Sequence, residues 1–231
     1  NGQTTPGGDA IYNGVDDVMV IEWARDNNFG LRPDFDVGQN DGKRAHTLLR
    51  FDLSALEGKA ERILSVTIVI TPNDRVAYFP WGNPGNIEVY RVSDENASWA
   101  EGISGAAGDP GVKPGDVSWN RLHHPDDWWI GKHGAALPGV DHDSQSLASA
   151  MYAPRTDFPL RFPIAGDLEF IHAWIEGASN TGFLLKETIG DEQNRINFHS
   201  SESDNVAARP KLIIQYLPLE QPTTKEQDRS P

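Results

Sequence analysis

Short apolar runs separated by turn residues constrain this chain more than anything else in it. VMVIEW (18–23), TLLRFDL (47–53), VTIVIT (66–71), IEVYRV (87–92), GFLLK (182–186), RINF (195–198) and KLIIQY (211–216) are each bounded by clusters of Gly, Pro, Asn, Asp or Ser. Runs of this length and β-branched content are strand signals, and their recurrence predicts a sandwich or barrel. Alternation within them is regular: Leu49, Phe51 and Leu53 share one face, Leu48, Arg50 and Asp52 the other. One face of each strand is therefore expected in the core. A single helical pattern interrupts at DLEFIHAWIEG, where Asp167 can cap the start, Leu168, Ile171 and Ile175 share a face, and Gly177 can end it. The stretch from about 120 to 160 has no sustained periodicity and is too long for a simple connection. It is either functional or a packed cover.

Charge narrows the partners. The 231 residues carry 34 acidic and 20 basic side chains, a formal charge of −14, which disfavours a phosphate backbone or an anionic membrane surface. Nucleic acid is excluded on that ground. No apolar run reaches the roughly 20 residues needed to span a bilayer, so membrane insertion is not expected. With no cysteine, disulfides, thiolate metal sites and cysteine nucleophiles are excluded together, but compartment is left open. The polar, Gly-rich opening and the Pro-rich close read as arms, giving an N-terminal arm over 1–16, one domain over 17–216 and a tail over 217–231.

The order of motifs is similar to that of the DNRLRE (disaggregatase-related) family, a type of carbohydrate-binding module found beside alginate lyases. Asp17 leads VMVI; Asn28-Phe29-Gly30 and Val37-Gly38 follow; LLRFDLSAL occupies Leu48 to Leu56. Val89 to Val92, Trp99 to Glu101 and Ser118 to Asn120 come next. Trp174 to Gly177, NTGFLLK at 180–186, HSSE at 199–202 and RPKLIIQY at 209–216 complete the series. The resemblance implies a two-sheet jelly-roll β-sandwich with one short helix and long loops, secretion, a glycan ligand and frequently a calcium ion. It also implies that TLLRFDL is central and that KLIIQY lies near VMVIEW. One departure bears on the ligand: alginate recognition calls for a cationic surface, which this acidic chain lacks unless Arg32, Lys43 and Arg44 gather.

Aromatic rings stack on the apolar faces of sugars. Trp99, Trp119 and Trp174 sit within motifs and are read as packing residues, and Arg50 and Glu202 as structural charges, Arg50 bridging to an acid of the sheet. The carbohydrate-binding candidates are Tyr78 and Trp81, in the Pro- and Gly-rich loop RVAYFPWGNPGN, with Trp128 and Trp129 in the long aperiodic segment. One of that consecutive pair is expected to pack and the other to face solvent. The same segment is dense in His and Asp; hard oxygen ligands favour calcium, with Asp141 and Asp143 as the candidates, while His would favour zinc, and a solvated polar loop is the third reading.

No nucleophile elbow, phosphate loop or dinucleotide fingerprint occurs. The reading is of a non-enzymatic, extracellular polysaccharide-binding module. The alternative is a structural subunit of an extracellular fibre, surface layer or adhesive assembly, contacting neighbouring subunits through its arms.

Overall fold

The computed structural model describes residues 14–73, 84–105, 111–153, 157–189 and 194–219. In chain order the strands are β1 (Val15–Ile21), β2 (Asp34–Asn40), β3 (Lys43–Phe51), β4 (Ala60–Ile70), β5 (Gly85–Arg91), β6 (Arg121–His123), β7 (Asp127–Trp128), β8 (Ala148–Tyr152), β9 (Leu160–Pro163), β10 (Phe183–Ile189), β11 (Ile196–His199) and β12 (Lys211–Pro218). One α-helix, α1 (Glu169–Ile175), lies between β9 and β10. The large sheet runs β11-β2-β3-β10-β5-β8 with β1 added against β3, and a three-stranded sheet runs β12-β4-β9. All pairings between these strands are antiparallel. The protein is an all-β sandwich of the jelly-roll kind.

Strand alternation builds the core between the two sheets. Leu49 and Phe51 of β3, Ile87 and Val89 of β5, and Phe183 and Leu185 of β10 meet Val66, Ile68 and Ile70 of β4 and Phe162 of β9. Each such side chain contributes about 1.5–3 kcal/mol by leaving water. The helix closes one end: Ile171, Trp174 and Ile175 join this core, and Trp174 packs edge-on against Phe183. Asp167 accepts the Glu169 N–H before the helix, and Gly177 ends it with a φ of 97°.

The expectation of one core face per strand needs correction on the large sheet. Val18, Val20, Leu48, Tyr90, Val92 and Leu184 point to the outer face, yet they are buried too, under Trp99, Val117, Trp119, Leu122, Trp129 and Ala135. The long aperiodic segment is thus in large part a packed cover with its own core. At the polar margin of this second core Lys186 donates to His142 Nε2 over 2.8 Å. Burial holds His142 down to about 4 and His46 down to about 3, so both rings are neutral.

β3 is central, as the motif order implies, but KLIIQY does not neighbour VMVIEW. β12 pairs along β4 in the opposing sheet, Leu212 opposite Ile68 and Ile214 opposite Val66. β1 pairs with β3 through its whole length, Val15 opposite Phe51 and Ile21 opposite Ala45. At the domain ends, Val15 and Asp16 belong to β1, and Leu217 and Pro218 to β12.

Candidate metal centre and ligand surface

Three acidic residues far apart in the chain converge where β1 meets two loops. Asp17 on β1, Glu101 after the Trp99 turn and Glu202 after β11 bring carboxylate oxygens within 4.8 Å of one another. Each is delivered by a distinct local device. Glu101 is fixed by the Asn28-Phe29-Gly30 turn, where Asn28 donates to the Glu101 carbonyl at 2.7 Å and to the Val117 carbonyl at 2.9 Å. Gly30 is required there, because a Cβ would lie 2.4 Å from that same Glu101 carbonyl oxygen. The Asp17 N–H donates to Glu101 Oε1 at 2.8 Å, and Asp17 Oδ2 accepts the Ser201 N–H at 2.6 Å. Glu202 Oε1 accepts the Ser201 hydroxyl at 2.7 Å.

Such a group is electrostatically costly. Burial first, and then the Glu202 charge, raises the Asp17 carboxyl well above the usual carboxylate range. Burial likewise pushes Glu101 up to about 9 against the stabilising Asp17 N–H, with Glu202, Asp17 and Asp16 adding repulsion. Glu202 is raised chiefly by burial. Its Oε2 atom is buried with no hydrogen-bond partner. Like charges at this spacing cannot all ionise without a counter-charge. A hard divalent cation fits: every donor is oxygen, and oxygen-only sites suit calcium over zinc. Asp17, Glu101 and Glu202 are the residues that would hold it.

Asp141 and Asp143, the expected calcium ligands, are engaged otherwise. The Asp141 carboxylate is fully buried and accepts backbone N–H groups from Gly131, Lys132 and Leu137 at 2.8 to 2.9 Å, plus the Asn96 amide at 3.1 Å. Both its oxygens are occupied by donors, so it organises the cover as a hydrogen-bonding hub. Asp143 pairs with Arg91 through two contacts, at 3.2 and 3.3 Å.

Trp128 and Trp129 divide as alternating neighbours should. Trp129 is 4% exposed in the second core and donates its indole N–H to the Ser118 carbonyl, so it offers no ligand surface. Trp128 is 50% exposed. It stands opposite Arg121 on the β6–β7 ribbon, with that guanidinium 3.3 Å from its ring centroid and the His133 ring at 5.3 Å. Arg121 has no ion-pair partner among the described residues. Ile130, beyond the buried Trp129, is also exposed. Tyr78 and Trp81 lie outside the described residues. Trp99, Trp119 and Trp174 are buried, and Arg50 bridges Asp16 on β1 at 3.2 Å.

The basic strip does not form around Arg32, Lys43 and Arg44. Arg32 pairs with Asp34 at the start of β2, while Lys43 and Arg44 open β3 beyond its far end. No family model matches the chain, and no curated protein is detectably similar to it. The family resemblance therefore stands on the motif order.

Proposed function

We propose that this chain is a non-catalytic, extracellular module of the DNRLRE kind that binds polysaccharide through the Trp128 ribbon, with calcium at Asp17, Glu101 and Glu202 as a brace. The observation that carries the reading is Trp128 itself: a large ring left half exposed, yet held in place by Arg121 and His133 on a ribbon rooted in a buried core. A pre-positioned aromatic surface loses little conformational freedom on binding a sugar ring. Arg121 adds free donors for hydroxyl or acid groups. Tyr78 and Trp81 remain candidates for extending the surface on the strength of the sequence.

Calcium bound at the three carboxylates would neutralise their repulsion. The residues themselves do the structural work: Asp17 ties β1 to the Ser201 turn, and Glu101 ties β1 to the Trp99 loop. That loop packs in the same core as Trp129, so the brace supports the base of the ribbon. Retention on a panel of neutral and acidic polysaccharides, with calcium and after chelation, tests the reading. Binding that is lost in Trp128→Ala supports it; no retention on any polysaccharide overturns it.

The assembly reading draws on β12, an edge strand whose Ile213 and Leu217 are exposed. Sedimentation showing a concentration-dependent oligomer, dispersed by Ile213→Lys, would favour it.

A further inference from the structure

Where β1 begins and β3 ends beside the helix, a cleft of about 350 Å³ opens to solvent, lined by none of the carboxylates of the candidate metal centre and by no residue of the Trp128 ribbon. Its floor is carbon, from the edges of Phe51, Leu53, Trp174 and Ile175, all core residues. Among the described residues its rim carries Asp16, Asp52 and Glu57 against one guanidinium, Arg50. That guanidinium is already committed, with Nε on Asp16 at 3.2 Å and its other nitrogens on the carbonyls of Ala97 at 3.1 Å and Trp99 at 2.6 Å. The Ser54 N–H and hydroxyl hold Asp52 below its ordinary carboxylate value, so it is charged across the neutral range. The last turn of α1 forms another wall, and the carbonyl end of a helix carries negative partial charge.

Ligand pockets run from about 300 to 1,000 Å³, so this one suits a single ring and not a chain. An apolar floor takes the carbon face of such a ring, and rim carboxylates take an ammonium group by charge-assisted hydrogen bonds. A uronate or sulfate would meet like charge from Asp52 and Glu57, while the one guanidinium there is taken up by Asp16 and two carbonyls, and a wholly neutral ring would partly desolvate these carboxylates.

We propose that this cleft binds a glucosamine-type unit, an amino sugar whose amine is free and protonated. The proposal rests on the glycan-binding reading above and adds a second subsite to it, opposite in charge preference to the Arg121 side. The ligands of the closing experiment are a deacetylated glucosamine oligosaccharide, its N-acetylated counterpart and an oligolysine of equal charge, each titrated calorimetrically into the full chain. The glucosamine oligomer should bind, and acetylation, which removes the charge, should weaken it about tenfold or more. Glu57 is exposed and closes the 3-10 turn over Ser54–Leu56 through its backbone N–H, which the Ser54 carbonyl accepts, so Glu57→Gln should keep the melting temperature while weakening binding about three- to fivefold. Glu57→Arg should weaken it about tenfold or more. Equal affinity for the acetylated oligomer, equal affinity for oligolysine, or indifference to both Glu57 variants would overturn the proposal. If binding responds to Trp128→Ala in place of Glu57→Arg, the cleft assignment fails and the glycan-binding reading stands. If the cleft variants respond but Trp128→Ala retains every polysaccharide, the Trp128 surface fails and the cleft stands.

Discussion

The Arg50 guanidinium lies 4.2 Å above the Trp99 ring and donates to the carbonyl of the same residue at 2.6 Å. The pair joins the LLRFDLSAL strand to the Trp-x-Glu turn, and Glu101 follows two residues beyond Trp99. Cation–π contact, a charged hydrogen bond and the Asp16 bridge thus position one arm of the carboxylate centre from the outer face of β3.

Replacing Arg50 should therefore act twice. Arg50→Ala is expected to cost about 2–3 kcal/mol, from lost charged hydrogen bonds and the stacked guanidinium. Arg50→Lys should recover little, since an ammonium cannot reach Ala97, Trp99 and Asp16 together in a planar fork. Chemical denaturation measures the first effect. Calcium titration of the folded variant measures the second, a weakened affinity through the displaced Glu101 loop.

The metal-free protein should lose stability as pH rises. Asp17, Glu101 and Glu202 all have raised carboxyl values in the fold, Glu101 to about 9, so the native state holds protons that the unfolded chain has released. Their contribution is fully present below the unfolded carboxylate range, near pH 4, and declines as pH climbs toward about 9. Calcium should reverse the trend by replacing those protons. Thermal melts from pH 5 to 9, with calcium and after chelation, check this: the gap between the two curves should widen with pH. At a calcium concentration one hundred times Kd the gain is about 2.7 kcal/mol.

Asp141 should behave as a structural residue that chelation does not mimic. Asp141→Ala strands three backbone N–H groups and the Asn96 amide, a loss of about 3 kcal/mol or more. Amide exchange should show protection lost first at Gly131, Lys132 and Leu137. Chelation of the wild type should leave those amides protected.

Legibility of the fold followed the strength of local pattern. β3, β4, β5 and β10 are apolar, β-branched runs bounded by turn residues, and α1 has its Asp167 and Gly177 boundaries, so these elements are readable from the chain. β2 is not, because its DFDVGQN sequence puts Asp34 and Asp36 into a buried strand, which is tolerable only through Arg32, Arg195 and Asn197 from elsewhere. The second core escapes notice for a related reason: its Trp119 and Trp129 lie on irregular backbone and its Leu122 in a three-residue strand, too short for a period to show. The candidate metal centre is a tertiary event, built from acids that no spacing rule connects. Each of its acids falls within a resemblance motif, whereas the density of His and Asp between 123 and 143 points to Asp141 and Asp143.

Retention on immobilised polysaccharides, comparing wild type with Trp128→Ala and Trp129→Ala, tests the central claim most directly. Trp129→Ala opens a cavity in the second core and should cost about 3–5 kcal/mol of stability. Trp128→Ala should leave the melting temperature nearly unchanged while removing about 1–3 kcal/mol of binding, as loss of an aromatic anchor does. Retention by the wild type that falls selectively in folded Trp128→Ala is the predicted result. Undiminished retention by folded Trp128→Ala would contradict the account.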